Sequence, residues 1–108
     1  MPGVFRDTRL DGDIEALVSK YPSLQKDVGY IENLLRDGRF PSTRCREFEP
    51  DWVWRTEVHI SDFGGADAED RCTLIYERDG DTCDLLLIYD NDAQEYEEMI
   101  VEIRSRRS

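Results

Sequence analysis

Arg55, Glu57 and His59 recur at every second position of one segment, and Arg71 stands at the start of another β-rich segment. Guanidinium groups present planar forks of donors suited to phosphate oxygens. An imidazole with a near-neutral pKa can move a proton, and so can a carboxylate. Together these residues could hold an anion and remove a proton beside it. The plainer alternative is a surface ion-pair cluster of Arg55, Glu57 and Arg71, worth little to stability. A second grouping has the opposite sign. Asp62, Asp67, Glu69 and Asp70 fall in a glycine-containing stretch without one basic residue, which suits either a solvated turn or a dock for a basic partner.

Composition sharpens this contrast. The chain has 108 residues, 39% of them hydrophobic, enough for one domain spanning 1–108 with a single modest core. Its 25 acidic and 14 basic residues give a formal net charge of -11, which repels nucleic acid at long range. The basic residues are Arg except for Lys20 and Lys26. A salt-adapted surface or an Arg-favouring genome would produce this usage as readily as function would. No apolar run approaches the roughly 20 residues of a membrane span, and no segment reads as a signal peptide, so a cytoplasmic location is expected. Cys45, Cys72 and Cys83 match no metal-ligand spacing and read as reduced, mostly core, thiols; no metal or other cofactor is expected. With Asp79-Gly80 as a two-residue turn, Cys83 would oppose Tyr76 and Cys72 would oppose Leu87, which disfavours a disulfide across the hairpin.

The elements that must position these residues follow from periodicity. Gly3 to Thr8 can form a short edge strand. After Asp11-Gly12, Ile14, Leu17, Val18 and Tyr21 make a helical stripe ended by Pro22. Leu24, Val28, Ile31, Leu34 and Leu35 make a second, stopped by Gly38. Phe40 to Asp51 reads as a loop. Trp52, Trp54, Thr56, Val58 and Ile60 alternate with Val53, Arg55, Glu57, His59 and Ser61, giving a strand with an apolar and a polar face. On this reading both tryptophans pack inward rather than stack on bases. Arg71 to Glu77 and Cys83 to Tyr89 form a hairpin, its second strand central because Leu85 to Ile88 is continuously apolar. Asp92 can cap a last helix with Tyr96, Met99, Ile100 and Ile103 on one face. The sum is an α+β domain: an antiparallel sheet, an N-terminal helical hairpin and a C-terminal helix, with the helices on one face.

Three segments in this order, Lys20 to Val28, Val53 to Ser61 and Asp84 to Asp92, resemble the RelE/ParE superfamily of toxin-antitoxin toxins, the RelE-like branch in particular. The resemblance extends from Thr8 to about Ile103. It implies a RelE-like fold and a metal-independent endoribonuclease, an mRNA interferase that cleaves messages in the ribosome and is neutralised by a cognate antitoxin. Arg55 and Arg71 match basic positions expected to bind phosphate and stabilise the transition state, while His59 or Glu57 is the candidate base. Asn91 follows Ile-Tyr-Asp where relatives often carry Lys, which makes it a weaker RNA contact. Glu57 replaces an expected basic residue, and the Asp62 to Asp70 loop reverses the charge of its counterpart. Arg104, Arg106 and Arg107 form the densest basic patch and could touch RNA, or could simply offset a helix macrodipole. The alternative reading is a non-catalytic binding protein whose acidic face occupies a basic partner, such as a nucleic-acid-binding enzyme or a gyrase-like target.

Overall fold

The computed structural model describes residues 3–39, 43–44, 53–60, 70–91 and 96–107, and only the backbone of Thr43, Arg44, His59, Asp70, Arg71 and Tyr96. In chain order the elements are β1 (Gly3–Arg6), α1 (Leu10–Val18), α2 (Leu24–Arg36), β2 (Thr43–Arg44), β3 (Val53–His59), β4 (Asp70–Asp79), β5 (Thr82–Asp90) and α3 (Tyr96–Arg107).

Helix α1 begins earlier than its apolar stripe suggests. The Asp7 carboxylate accepts from the Arg9 amide at 2.9 Å and turns the chain into the helix, so Asp11-Gly12 falls in the first turn rather than ahead of it. Tyr21 lies beyond the helix yet is buried. Helix α2 carries Leu24, Val28, Ile31 and Leu35 on its buried face. It stops as expected at Gly38, whose φ of +78° is costly for other residues. The amides of Gly38 and Arg39 then return to the carbonyls of Leu35 (3.1 Å) and Leu34 (2.9 Å), the paired bonds of a Schellman terminus.

The strands form one five-stranded sheet in the order β1-β5-β4-β3-β2. It is mixed rather than antiparallel as expected, because β1 pairs parallel to β5. The stretch read as a loop contributes β2, a two-residue pairing with β3. The hairpin turn also differs. Gly80, at φ +57°, is followed by Asp81 in the turn, so Cys83 opposes Arg78 and Cys72 opposes Asp90. A register shift between Ile75 and Tyr76 adds Leu86 as an extra residue on β5. Leu86 and Leu87 consequently pack into the same core.

Two cores result, one on each face of the sheet. Helices α1 and α2 cover Val58, Ile60, Cys72, Leu74, Tyr76, Cys83, Leu85 and Ile88, with Trp54 partly buried beside them. Helix α3 covers Val53, Ile75, Leu86 and Leu87 through Met99 and Ile103. The helices therefore do not share a face. Each buried aliphatic side chain contributes roughly 1.5–3 kcal/mol, so α3 is docked mainly by Met99 and Ile103. Among the described residues no helix is long and apolar enough to cross a membrane. Cys72 and Cys83 are buried and unlinked; Cys45 and Trp52 lie outside the described residues, as does the cap expected of Asp92.

Candidate open face of the sheet

The face under α3 is read best as rows running across the strands. Arg55 opposes Ile75, which opposes Leu87, and α3 covers the two apolar members of that row. One step along the strands, Glu57 opposes Thr73, which opposes Tyr89. This second row is polar, and α3 does not bury Glu57. Strand periodicity alone places Arg55 and Glu57 on the same side, with Cα atoms about 6.6 Å apart. Both side chains are exposed, as the sequence led us to expect.

Glu57 does not spend its charge on Arg55. Its Oε2 accepts from Asn91 Nδ2 at 3.2 Å and lies 3.1 Å from Thr73 Oγ1. Thr73 Oγ1 is also 2.6 Å from Asn91 Oδ1. A hydroxyl has a single proton, so it serves one acceptor at a time, and the shorter contact favours Asn91. Thr73 thus donates to Asn91, which donates to Glu57, and buried Thr73 fixes the whole chain of contacts. Among the described residues these bonds fall on Oε2, which leaves Oε1 able to accept a proton. No hydrogen bond or ion pair of Arg55 is seen among the described residues.

Other candidate residues are placed differently. Asn91 is exposed just past the end of β5, where it donates to Glu57. Arg104 is exposed on α3. Arg106, read as an RNA contact, turns inward, with only 7% of its side chain exposed. It donates to Asp13 (2.9 Å from Nη2 to Oδ1), to Glu102 (2.8 Å) and to the Leu86 carbonyl (2.8 Å). Arg107 binds Glu77 at 2.7 Å, and Arg9 donates to the Arg106 carbonyl at the end of α3. Arg104, Arg106 and Arg107 do fall in the last turn of α3, but the charges of Arg106 and Arg107 are taken up by carboxylates of α1, α3 and β4.

The side chains of His59, Arg71 and Asp70 lie outside the described residues, as do Asp62, Asp67 and Glu69 altogether. The backbone of Arg71 is informative. Val58 opposes Cys72 and His59 opposes Asp70, so Arg71 is the extra residue of a bulge, a device that re-aims a strand.

Comparison with known proteins finds no matching family model, curated protein or solved structure. The face must be judged on its own chemistry. Among the described residues no group of three or more His, Cys, Asp or Glu side chains converges as metal ligands would. What the open face offers is an exposed guanidinium and an oriented carboxylate two residues apart.

Two features escaped the sequence reading. Thr73 resembles any β-branched strand residue until the register sets it opposite Glu57. On the other face, buried Asp90 accepts from Lys20 at 2.7 Å and Tyr21 at 3.2 Å, joining the end of β5 to the connection between α1 and α2. Asp90 holds the Lys20 ammonium above its ordinary range, while burial raises the Tyr21 phenol. Both partners come from distant sequence.

Proposed function

We propose that the open face cleaves RNA, as a RelE-like toxin would, with Glu57 as general base and Arg55 as phosphate clamp. The observation that carries this reading is the separation of the two charges. The Glu57 carboxylate accepts from Asn91, which Thr73 holds in turn, instead of neutralising Arg55. In the proposed reaction, Glu57 Oε1 takes the proton of a ribose 2′-hydroxyl. The freed oxygen attacks the adjacent phosphorus, and the bond to the 5′-oxygen of the next nucleotide breaks. Products are a 2′,3′-cyclic phosphate and a 5′-hydroxyl whose proton comes from solvent. Arg55 neutralises charge developing on the phosphoryl oxygens, a contribution typically worth about 10²–10³-fold in rate. Base catalysis adds roughly 10²–10⁴-fold.

Arg71 would be a second clamp and His59 an alternative base. Asn91 acts here as a positioning residue for Glu57, and Arg104 remains a candidate RNA contact at the rim. The net charge of -11 opposes binding to free RNA and to the RNA-rich ribosome alike, so the choice of a ribosome-held message in the cytoplasm rests on the resemblance alone. An antitoxin covering this face would silence it. Induced expression tests the reading at low cost. The intact chain should arrest growth and Arg55→Ala should not, at equal soluble level; arrest by both would remove Arg55 from the chemistry.

The charge also supports the alternative, a non-catalytic protein that docks on a basic partner. Toxicity that persists in Glu57→Gln would favour it.

A further inference from the structure

Asp90 and Asn91 are consecutive, yet they serve opposite faces of the sheet. The Asp90 carboxylate, 4% exposed, lies on the side of α1 and α2, where it accepts from Lys20 Nζ at 2.7 Å and from the Tyr21 hydroxyl at 3.2 Å. Asn91 turns to the other side and donates to Glu57 at 3.2 Å. One planar peptide unit joins the two residues, so a shift of Asp90 is passed to Asn91.

This place lies at the end of the regular ladder. Cys72 opposite Asp90 is the last pair between β4 and β5, and Asn91 is the first residue past it. Arg71, beside Cys72, is the extra residue of the bulge, so the pairing of β4 with β3 is interrupted at the same level. A side-chain anchor on Asp90 therefore acts where ladder bonds give out. Its mount is firm. The amides of Lys20 and Tyr21 both return to the Leu17 carbonyl (3.1 and 2.8 Å), and the Tyr21 carbonyl accepts from the Leu24 amide that opens α2 (3.0 Å). The Lys20 ammonium also lies 5.3 Å from the centre of the buried Tyr21 ring, a cation–π contact.

We infer that Lys20 and Tyr21 are positioning residues for Glu57: through Asp90 they fix Asn91, and Asn91 orients the carboxylate. Thr73 holds Asn91 by its side chain, 2.6 Å from Oδ1, and Asp90 holds it by its backbone. The catalytic consequence rests on the nuclease reading; the hold on Asn91 does not.

The test follows the Asn91 side-chain amide of the full chain by NMR, its signals identified by their loss in Asn91→Ala. They should move toward the position of a free side-chain amide in Tyr21→Phe and further in Lys20→Met. Lys20→Arg, which keeps the cation, should restore most of the change. Arg6→Ala breaks a different ion pair, to Glu32 of α2, and should leave the signals in place, which separates positioning from lost stability. On a ribosome-bound message, Lys20→Met should lower kcat about 10-fold with KM nearly unchanged, as a modest misplacement does. Adding Asn91→Ala should cost nothing further, because both changes act through one contact. Should Lys20→Met fail to fold by stranding a buried carboxylate, Asp90→Asn removes the charge that Lys20 grips and gives the same readings. Unmoved Asn91 signals in folded Lys20→Met or Asp90→Asn would overturn the proposal, and so would rate losses that multiply in the double variant. A message left intact by the wild-type chain would overturn the nuclease reading instead, and the Asn91 signals then decide the positioning on their own.

Discussion

Asp13 and Arg106, 93 residues apart in sequence, grip one another around the outer edge of β5. Asp13 belongs to the helix on one face of the sheet and Arg106 to the helix on the other. Their pairing closes the molecule where β1 gives out. The same two side chains satisfy backbone groups of Ile88 and Leu86, so the clasp also blunts a strand edge.

Removing one partner from this little-exposed pair strands the other. Arg106→Ala should cost about 2–4 kcal/mol in denaturant unfolding, toward the range for breaking buried pairs. Arg106→Lys should recover less than half of that, because an ammonium cannot span Asp13, Glu102 and the Leu86 carbonyl with a planar fork.

Glu77 and Asp84 face each other across the hairpin, a like-charge pair. Partial burial, then Glu77 and Asp79, pushes the Asp84 carboxyl above its ordinary range. A folded pKa above the unfolded one means stability that is present below the unfolded pKa and declines as pH rises through the folded one. Asp84→Asn should therefore raise stability slightly at pH 7, solvent screening keeping the effect small. The gain should vanish near pH 3, and thermal unfolding at both pH values checks the sign.

Burial pushes the Cys72 thiol up to about 12, helped by the charge of Asp90, and burial also raises Cys83. The thiolate is the reactive form. In a Cys45→Ser background, a thiol reagent at pH 8 should label neither cysteine in the folded state and both in denaturant. The linked stability is complete below pH 9 and falls as pH rises toward 12, so unfolding should become easier across that alkaline window.

If Thr73 and Asn91 hold Glu57 in place, then Asn91→Ala should lower the rate of message cleavage roughly 10-fold while leaving substrate affinity nearly unchanged, an effect expected of a modest misplacement. Thr73→Val should act in the same direction. Single-turnover kinetics separate that outcome from lost binding.

Much of this arrangement can be read from residue order. Period-two alternation sets Arg55 and Glu57 on one side of β3, and the stripe of α2 and the stop at Gly38 follow from local rules. The stripe of Met99 and Ile103 shows that α3 buries a face, but not which side of the sheet receives it. A four-residue β1 carries no signal that it runs parallel to β5. The Gly80 turn shifts the β4–β5 register by two residues, and the separate β3–β4 register, which brings Thr73 to Glu57, has no tight turn to announce it. Arg106 looks like any cation at a helix end because its partner lies at the other end of the chain.

The most direct measurement is cleavage of a ribosome-bound message by the purified chain, at low and at high salt. The wild-type protein should cut the message and leave 2′,3′-cyclic phosphate ends. Glu57→Gln and Arg55→Ala, both folded, should each slow cutting by about 10² or more. A message left intact at both salt concentrations, or cut equally fast by Glu57→Gln, would contradict the assignment of the open face as a nuclease site.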